Sequence, residues 1–300
     1  MWLIFAFSGP VLWAASTHID KYLVDRYFKN SDTAVLMVFT AIVGLVFLPF
    51  IVGFRPQTLE LDRLSALVMI TSGALYMGAM LFYLRAIQAN EASVVAPLFQ
   101  ASTIFTLVLG YLLLGETLTV EKICGVALII AGALLLTVQP SRHTHMSLQL
   151  IALMLGCTFV VALSSVIFKF FAVRDDFWTT TFWMFVGEAI FGAGILALPR
   201  YRKQFVDLLK TNTRALLAVN GANELINLGG GLGVRFASLL APVAVVSAVS
   251  STTTLFVFAF GMLLSHFAPS LGHEDTSPAN LVRKGAAATV VAAGVLLTAL

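Results

Sequence analysis

Four residues in the stretch NGANELINLGGGLG stand out for their chemistry. Asn220, Asn223, Glu224 and Asn227 recur at i, i+3, i+4 and i+7, which puts three amides and one carboxyl on a single helix face. Such a face can bind a polar solute or relay a proton, or it can hold helices together by hydrogen bonds alone. Gly229, Gly230, Gly231 and Gly233 follow directly. They allow the helix to bend or a neighbouring backbone to approach closely. A second stripe, Ser247, Ser250, Ser251 and Thr254, follows Pro242. Its hydroxyls suit a polar pathway, although hydroxyls in helices also bond back to their own carbonyls. Gln100, Thr103 and Thr106 repeat the pattern after Pro97, and Ser72, Tyr76 and Tyr83 lie near one face of an earlier segment.

These groups sit in apolar surroundings. The chain of 300 residues is 59% hydrophobic and only 11% charged, with a mean hydropathy of +0.94. Soluble domains carry about twice that charged fraction, so the main solvent of this chain is lipid. A bilayer-spanning helix needs about 20 apolar residues. Ten segments meet that description: about 2–22, 33–53, 64–86, 93–115, 121–139, 147–170, 178–199, 214–236, 238–264 and 283–300. The expected fold class is therefore all-α integral membrane. The runs are continuous and not alternating, which excludes a barrel. No basic region precedes the first segment, which reads as a retained helix and not a cleaved signal.

Ionisable residues inside such segments need a partner, a proton or water. Glu188 falls near the middle of the seventh segment, and the sequence names no partner for it. Lys21 and Lys169 close the first and sixth segments at matching places. Snorkelling to the headgroups and charge control at the two mouths of a pathway both fit them. His18 and Asp20 flank Lys21 as an interfacial cluster. The linker RYRKQFVDLLKTNTR puts Phe205, Leu208 and Leu209 on one face among basic residues, which suits a short helix on anionic headgroups.

The polar signatures occur twice. ASVVAPL at 92–98 returns as ASLLAPV at 237–243. Ser16-Thr17 with Lys21 returns as Ser164-Ser165 with Lys169, and LVLGYLLL at 107–114 as FAFGMLLS at 258–265. The order is the same in both halves, giving a unit over 1–140 and a second over 147–300. Five helices per unit is an odd number, so the second unit enters the membrane inverted. The expectation is ten transmembrane helices as two inverted five-helix repeats around a central site. Pro97 and Pro242 loosen the backbone at equivalent points.

With these residues in view, the chain resembles the drug/metabolite transporter superfamily in its ten-helix EamA-like branch. The resemblance rests on Trp13 with Lys21, Ala92-Ser93 before Ala96-Pro97, Leu112-Leu113-Leu114-Gly115-Glu116, Gly125, and Ala131-Gly132. The second half departs from it, with Ser265-His266 where the family has Gly-Glu, and then a long insertion. The resemblance implies export or exchange of small metabolites with no covalent chemistry, and Trp13 on the pathway.

The expected function is a secondary transporter of small organic metabolites such as amino acids or amphiphilic drugs, working by alternating access. A flippase for a lipid-linked metabolite and a non-transport scaffold or receptor are the alternatives. No zinc-protease, nucleophile-elbow or paired-carboxylate motif points to an enzyme, and no cofactor or metal is expected. Partners are a small-molecule substrate, the lipid bilayer and protons as coupling ion. Scattered basic residues exclude nucleic acid. The setting is a multi-pass protein of a bacterial inner membrane. Gly285, Ala288, Ala292 and Ala293 allow close packing of the last segment against the fifth or against a second copy, so monomer and homodimer are both open. Cation counts put the termini outside, whereas the resemblance puts them inside.

Overall fold

The computed structural model describes residues 1–26, 32–89, 95, 98–137, 147–267 and 278–300. Among them there are helices and no strands. We label them α1 (Trp2–Arg26), α2 (Thr33–Phe54), α3 (Arg63–Ala89), α4 (Ala101–Leu114), α5 (Val120–Thr137), α6 (Leu148–Arg174), α7 (Phe177–Ala197), α8 (Pro199–Leu240), α9 (Val243–Ser250), α10 (Thr253–Phe267) and α11 (Pro278–Ala299). A 3-10 turn, Pro56–Glu60, joins α2 to α3.

Seven stretches are long and apolar enough to cross a membrane: Trp2–Leu23, Thr33–Phe54, Arg63–Ala86, Leu148–Arg174, Phe177–Ala197, Val243–Phe267 and Leu281–Ala299. The protein is a multi-pass membrane protein, with helices as the regular structure of its described residues. The fourth, fifth and eighth expected segments are helical too, as α4, α5 and α8. Two boundaries differ from expectation. The linker before the eighth segment is no separate surface helix, because it runs unbroken into α8, a helix of 42 residues. Its apolar face is turned inward, with Leu208 buried and Phe205 and Leu209 packed against Leu23, Val35 and Phe39. The expected ninth segment begins inside α8. The break falls at extended Ala241 and Pro242, and the helix that follows is interrupted again at Ser251–Thr252.

Helix starts follow the sequence chemistry. Asp32, Ser147 and Asp176 cap α2, α6 and α7, each accepting a backbone N–H of the first turn. Indole Nε1 of Trp183 donates to the Thr58 carbonyl at 3.0 Å, tying the 3-10 turn to α7.

Glycine sets the closest helix pairs. A Cβ on Gly73 would meet the Met184 carbonyl, and one on Gly187 the Ile70 carbonyl, so α3 and α7 touch backbone to backbone. Gly125 and Gly294 make the same kind of contact between α5 and α11, with 2.7 Å from each Cβ position to the other's carbonyl. Gly9 and Gly230 also face each other between α1 and α8, where a Cβ on Gly9 would stand 3.4 Å from the Gly230 carbonyl and meet Val234, and one on Gly230 would meet the Trp13 indole. The last helix therefore packs on the fifth, through Ala287, Val291 and Gly294. Gly285, Ala292 and Ala293 are exposed instead.

Each of these pairs is antiparallel. Beyond them, α3 packs on α6, α2 on α7 and α8, α4 on α6 and α9, and α1 on α9 and α10. Pairwise burial follows the same contacts: Ala6, Val126, Ile129, Ala237, Val245 and Val249 form the core where α1, α5, α8 and α9 meet.

Candidate functional site

The expected stripe on α8 is buried. Asn220, Asn223 and Glu224 are 1%, 0% and 6% exposed, and Asn227 is half-buried. α8 lays this face against α1 and α2. Asn223 Nδ2 donates to Asp20 Oδ1 at 2.6 Å, and Thr40 Oγ1 donates to Glu224 Oε1 at 3.1 Å. Trp13 Nε1 reaches the Asn227 carbonyl at 3.3 Å. The seam is this tight because Gly230 and Gly233 lie under Trp13 and Ser8. Of the two roles open to the glycine run, close approach is the one observed, since α8 continues through it unbroken. Asp20 and Thr40 are the members the sequence reading missed as site residues. α1 continues to Arg26, so Asp20 lies inside a helix and not at its interfacial end.

Glu188 has a partner. Arg235 Nη2 lies 3.1 Å from Glu188 Oε1, with both side chains largely buried. The guanidinium sits between the rings of Phe168 and Phe185, 5.3 and 5.4 Å from their centres. Tyr76 lies within the field of both charges. α8 extends to Leu240 and carries Arg235 inward.

Lys169 does not snorkel. Its Nζ lies 2.6 Å from Glu116 Oε1 and donates to the Ala241 carbonyl at 2.7 Å. Glu116 Oε2 accepts the Val243 N–H at 2.9 Å. One carboxylate thus caps α9 exactly where Pro242 breaks the chain. Gly115 makes this possible. It has φ 66°, the left-handed conformation that ends α4 and turns Glu116 back over Gly110. Lys21, the expected counterpart of Lys169, is exposed.

Two hydroxyl contacts tie expected site residues to other helices. Thr103 and Ser247 meet at 3.1 Å between α4 and α9, and Ser72 donates to Ser164 at 3.0 Å between α3 and α6. The rest of the second stripe is turned on itself. Ser250, Ser251 and Thr254 donate to the carbonyls of Val246, Ala248 and Ser251. Gln100 is buried beside the start of α4. Pro97, with Ala92, Ser93 and Ala96, lies outside the described residues. Below Thr103 a groove of about 340 Å³ runs between α4 and α5, walled by Ile104, Leu107, Ile123 and Val126 among others. Ile104 and Ile123 are exposed on the outer surface of the bundle, so the groove opens there.

At the opposite end from the Glu116 network, Asp32 ties three helices. Arg85 Nη2 lies 3.3 Å from Asp32 Oδ1 and donates to Tyr201 OH at 3.1 Å. The Asp32 N–H donates to Gln204 Oε1 at 3.0 Å, and Arg200 stands 3.7 Å from its carboxylate. Burial works against the Asp32 charge. The Ala34 N–H and the two arginines outweigh it and hold the carboxyl below its ordinary value.

Comparison with known proteins places this arrangement. The sequence profile of the EamA-like transporter family matches residues 1–138. An uncharacterized transporter in the cobO 3' region of Sinorhizobium sp. is 35% identical over 139 residues, which is 46% of this chain and 94% of that protein. The chain belongs to the EamA-like transporter family. This EamA-like protein is therefore a membrane transporter. A solved crystal structure, described only as that of a protein, is similar over 99% of this chain and 96% of its own. Its TM-score is 0.67 at 15% identity, a likeness of fold alone.

Proposed function

We propose that this protein is a secondary transporter, an exporter or exchanger, of small organic metabolites such as amino acids or amphiphilic drugs, working by alternating access. The observation that carries the reading is the buried polar seam of Asp20, Thr40, Asn223 and Glu224 between α1, α2 and α8. Two carboxyl groups buried in an apolar bundle are costly to keep unless they serve a solute or a proton.

The architecture we propose is ten membrane-crossing helices in two inverted units, 1–140 and 147–300, with α9 and α10 as one broken crossing. Helix pairing supports it. Exchanging α1 to α3 for α6 to α8, α4 for α9–α10, and α5 for α11 turns the α1–α8 pair into α6–α3. It turns α4–α6 into α9/α10–α1, and α3–α7 into α8–α2, all of which are packed pairs. The Sinorhizobium relative supports it as well, being about half as long as this chain. Alternating access would open and close two ends in turn. The Glu116–Lys169 network at one end and the Asp32–Arg85 network at the other are suited to be the closures. A bacterial inner membrane is the setting this reading implies, with protons as the coupling ion.

The test is uptake of a mixed amino-acid and metabolite pool into proteoliposomes, with and without a pH gradient, wild type against Glu224→Gln. The expected result is gradient-driven accumulation that disappears in the variant while solute exchange persists. Unchanged accumulation in the variant would remove Glu224 from the coupling. No uptake of any solute would favour a second reading, a flippase for a lipid-linked metabolite. The groove between α4 and α5, open to the outer surface beside Thr103, is the observation that recommends it.

A further inference from the structure

The α1–α8 seam holds more hydrogen-bond acceptors than donors. Asp20 receives Asn223 Nδ2 at 2.6 Å and Ser16 Oγ at 3.5 Å, and Glu224 receives Thr40. The Asn223 nitrogen faces the Asp20 carboxyl, which leaves its oxygen as an acceptor. That Oδ1 has no hydrogen-bond partner, nor has Oδ1 of Asn220, although both side chains are at least 99% buried. Asn220 stands on the same helix face as Asn223 and Glu224. Buried amide oxygens are nearly always met by a donor, and leaving one bare is costly. Other buried acids are answered by cations, Glu188 by Arg235 and Glu116 by Lys169. Among the described residues no Lys or Arg stands within 4.0 Å of Asp20 or Glu224.

We infer that Asp20, Asn220, Asn223 and Glu224 form a receptor for the protonated amino group of an organic solute. A primary ammonium brings one positive charge and three N–H donors, which is what two orphaned amide oxygens and two cation-free carboxyl groups lack. An organic cation fits better than a bare metal ion. No group of three His, Cys, Asp or Glu residues converges among the described residues. The Trp13 indole, held beside Asn227, offers an apolar wall and a ring face to the rest of such a solute. The site is closed in this structure, so α1 or α2 must part from α8 to admit a ligand. The inference rests on the transporter reading for that route in and out, and on the acceptor excess for its chemistry.

Equilibrium binding of radiolabelled phenethylammonium to the purified full-length protein in detergent tests it. The competitors are 2-phenylethanol, 3-phenylpropanoate and sodium chloride. The expected result is saturable binding that neither the alcohol nor the carboxylate competes away. Asp20→Asn and Glu224→Gln should each weaken it by about tenfold or more, as loss of a charge-assisted hydrogen bond does. Asn220→Leu separates recognition from structure. It removes an orphaned oxygen at similar volume, so it should weaken binding several-fold while the melting temperature holds or rises. Absence of saturable binding by wild type, equal competition by the alcohol, full displacement by sodium, or unchanged affinity in both carboxyl variants would each overturn the inference. Ammonium-selective binding without uptake into proteoliposomes would keep the receptor and sink the transport reading. Uptake with no preference for amines would do the reverse.

Discussion

Removing the Glu188 carboxyl would leave the Arg235 charge buried between two phenyl rings with no counter-ion. Single removal of one partner from such a pair costs about 3–5 kcal/mol, whereas replacing both with apolar residues is often nearly neutral. Glu188→Leu and Arg235→Leu should therefore each lower stability strongly in denaturant titration of the detergent-solubilised protein, and the double variant should recover most of the loss. Additive losses would mean that the pair is not the interaction that matters. Gly115→Ala is predicted to cost about 1 kcal/mol through its left-handed backbone, and more through Glu116, whose aim depends on that turn. The need for a partner at Glu188 was legible in the sequence, because a carboxyl in mid-helix admits few fates. Arg235 was not legible as that partner. It stands at the edge of an apolar run, where a cation reads as a boundary marker.

Between elements, close approach is set by missing side chains. Gly73→Ala and Gly187→Ala would drive a methyl into the facing carbonyl of the other helix. Each should destabilise by about 1–3 kcal/mol. Gly53 and Gly231 face open space, so alanine there should be neutral or raise the melting temperature slightly. Equal effects at all four positions would contradict the packing described. The Asp32 tie between α2, α3 and α8 makes a prediction in pH. Its carboxyl is more acidic folded than unfolded, so its stabilisation is complete above the ordinary value of 3.8 and is lost as pH falls through the lower folded value. Melting temperatures measured downward from about pH 5 should fall less steeply in Asp32→Asn than in wild type. Most helix positions were legible from apolar run length, because lipid leaves no other use for such runs. The start of α8 was not. Its basic face looked like a linker, and its apolar face has the same pattern whether it rests on lipid or on Leu23, Val35 and Phe39.

Across the whole molecule, the two ion-pair networks stand at opposite ends of the bundle. Lys169 and Glu116 hold the break between α8 and α9 at the end that carries both chain termini. Lys169→Met should raise aqueous maleimide labelling of an Ala241→Cys reporter, in a background with Cys124 and Cys157 replaced, while Asp32→Asn should not. Labelling that is insensitive to Lys169 would show that other contacts keep this end shut. The two halves carry the same polar signatures in the same order, and the proposed twofold architecture rests on that repetition. The unlike roles of Lys21 and Lys169 were not legible, since equivalence in sequence does not supply an equivalent of Glu116. Among the described helices, α8 runs from the Asp32 tie past the amide seam to the residue before Ala241. At 1.5 Å per residue its 42 residues make a rod about 63 Å long, twice the apolar thickness of a bilayer. Tyr201 and Gln204 ride at one end, the amide seam in the middle and Arg235 near the other end. In the proposed cycle such a rod would act as a lever: a tilt of about 10° around its centre would carry each tip about 5 Å, so a sub-ångström adjustment around a bound solute would be read out as the unlatching of a distant end.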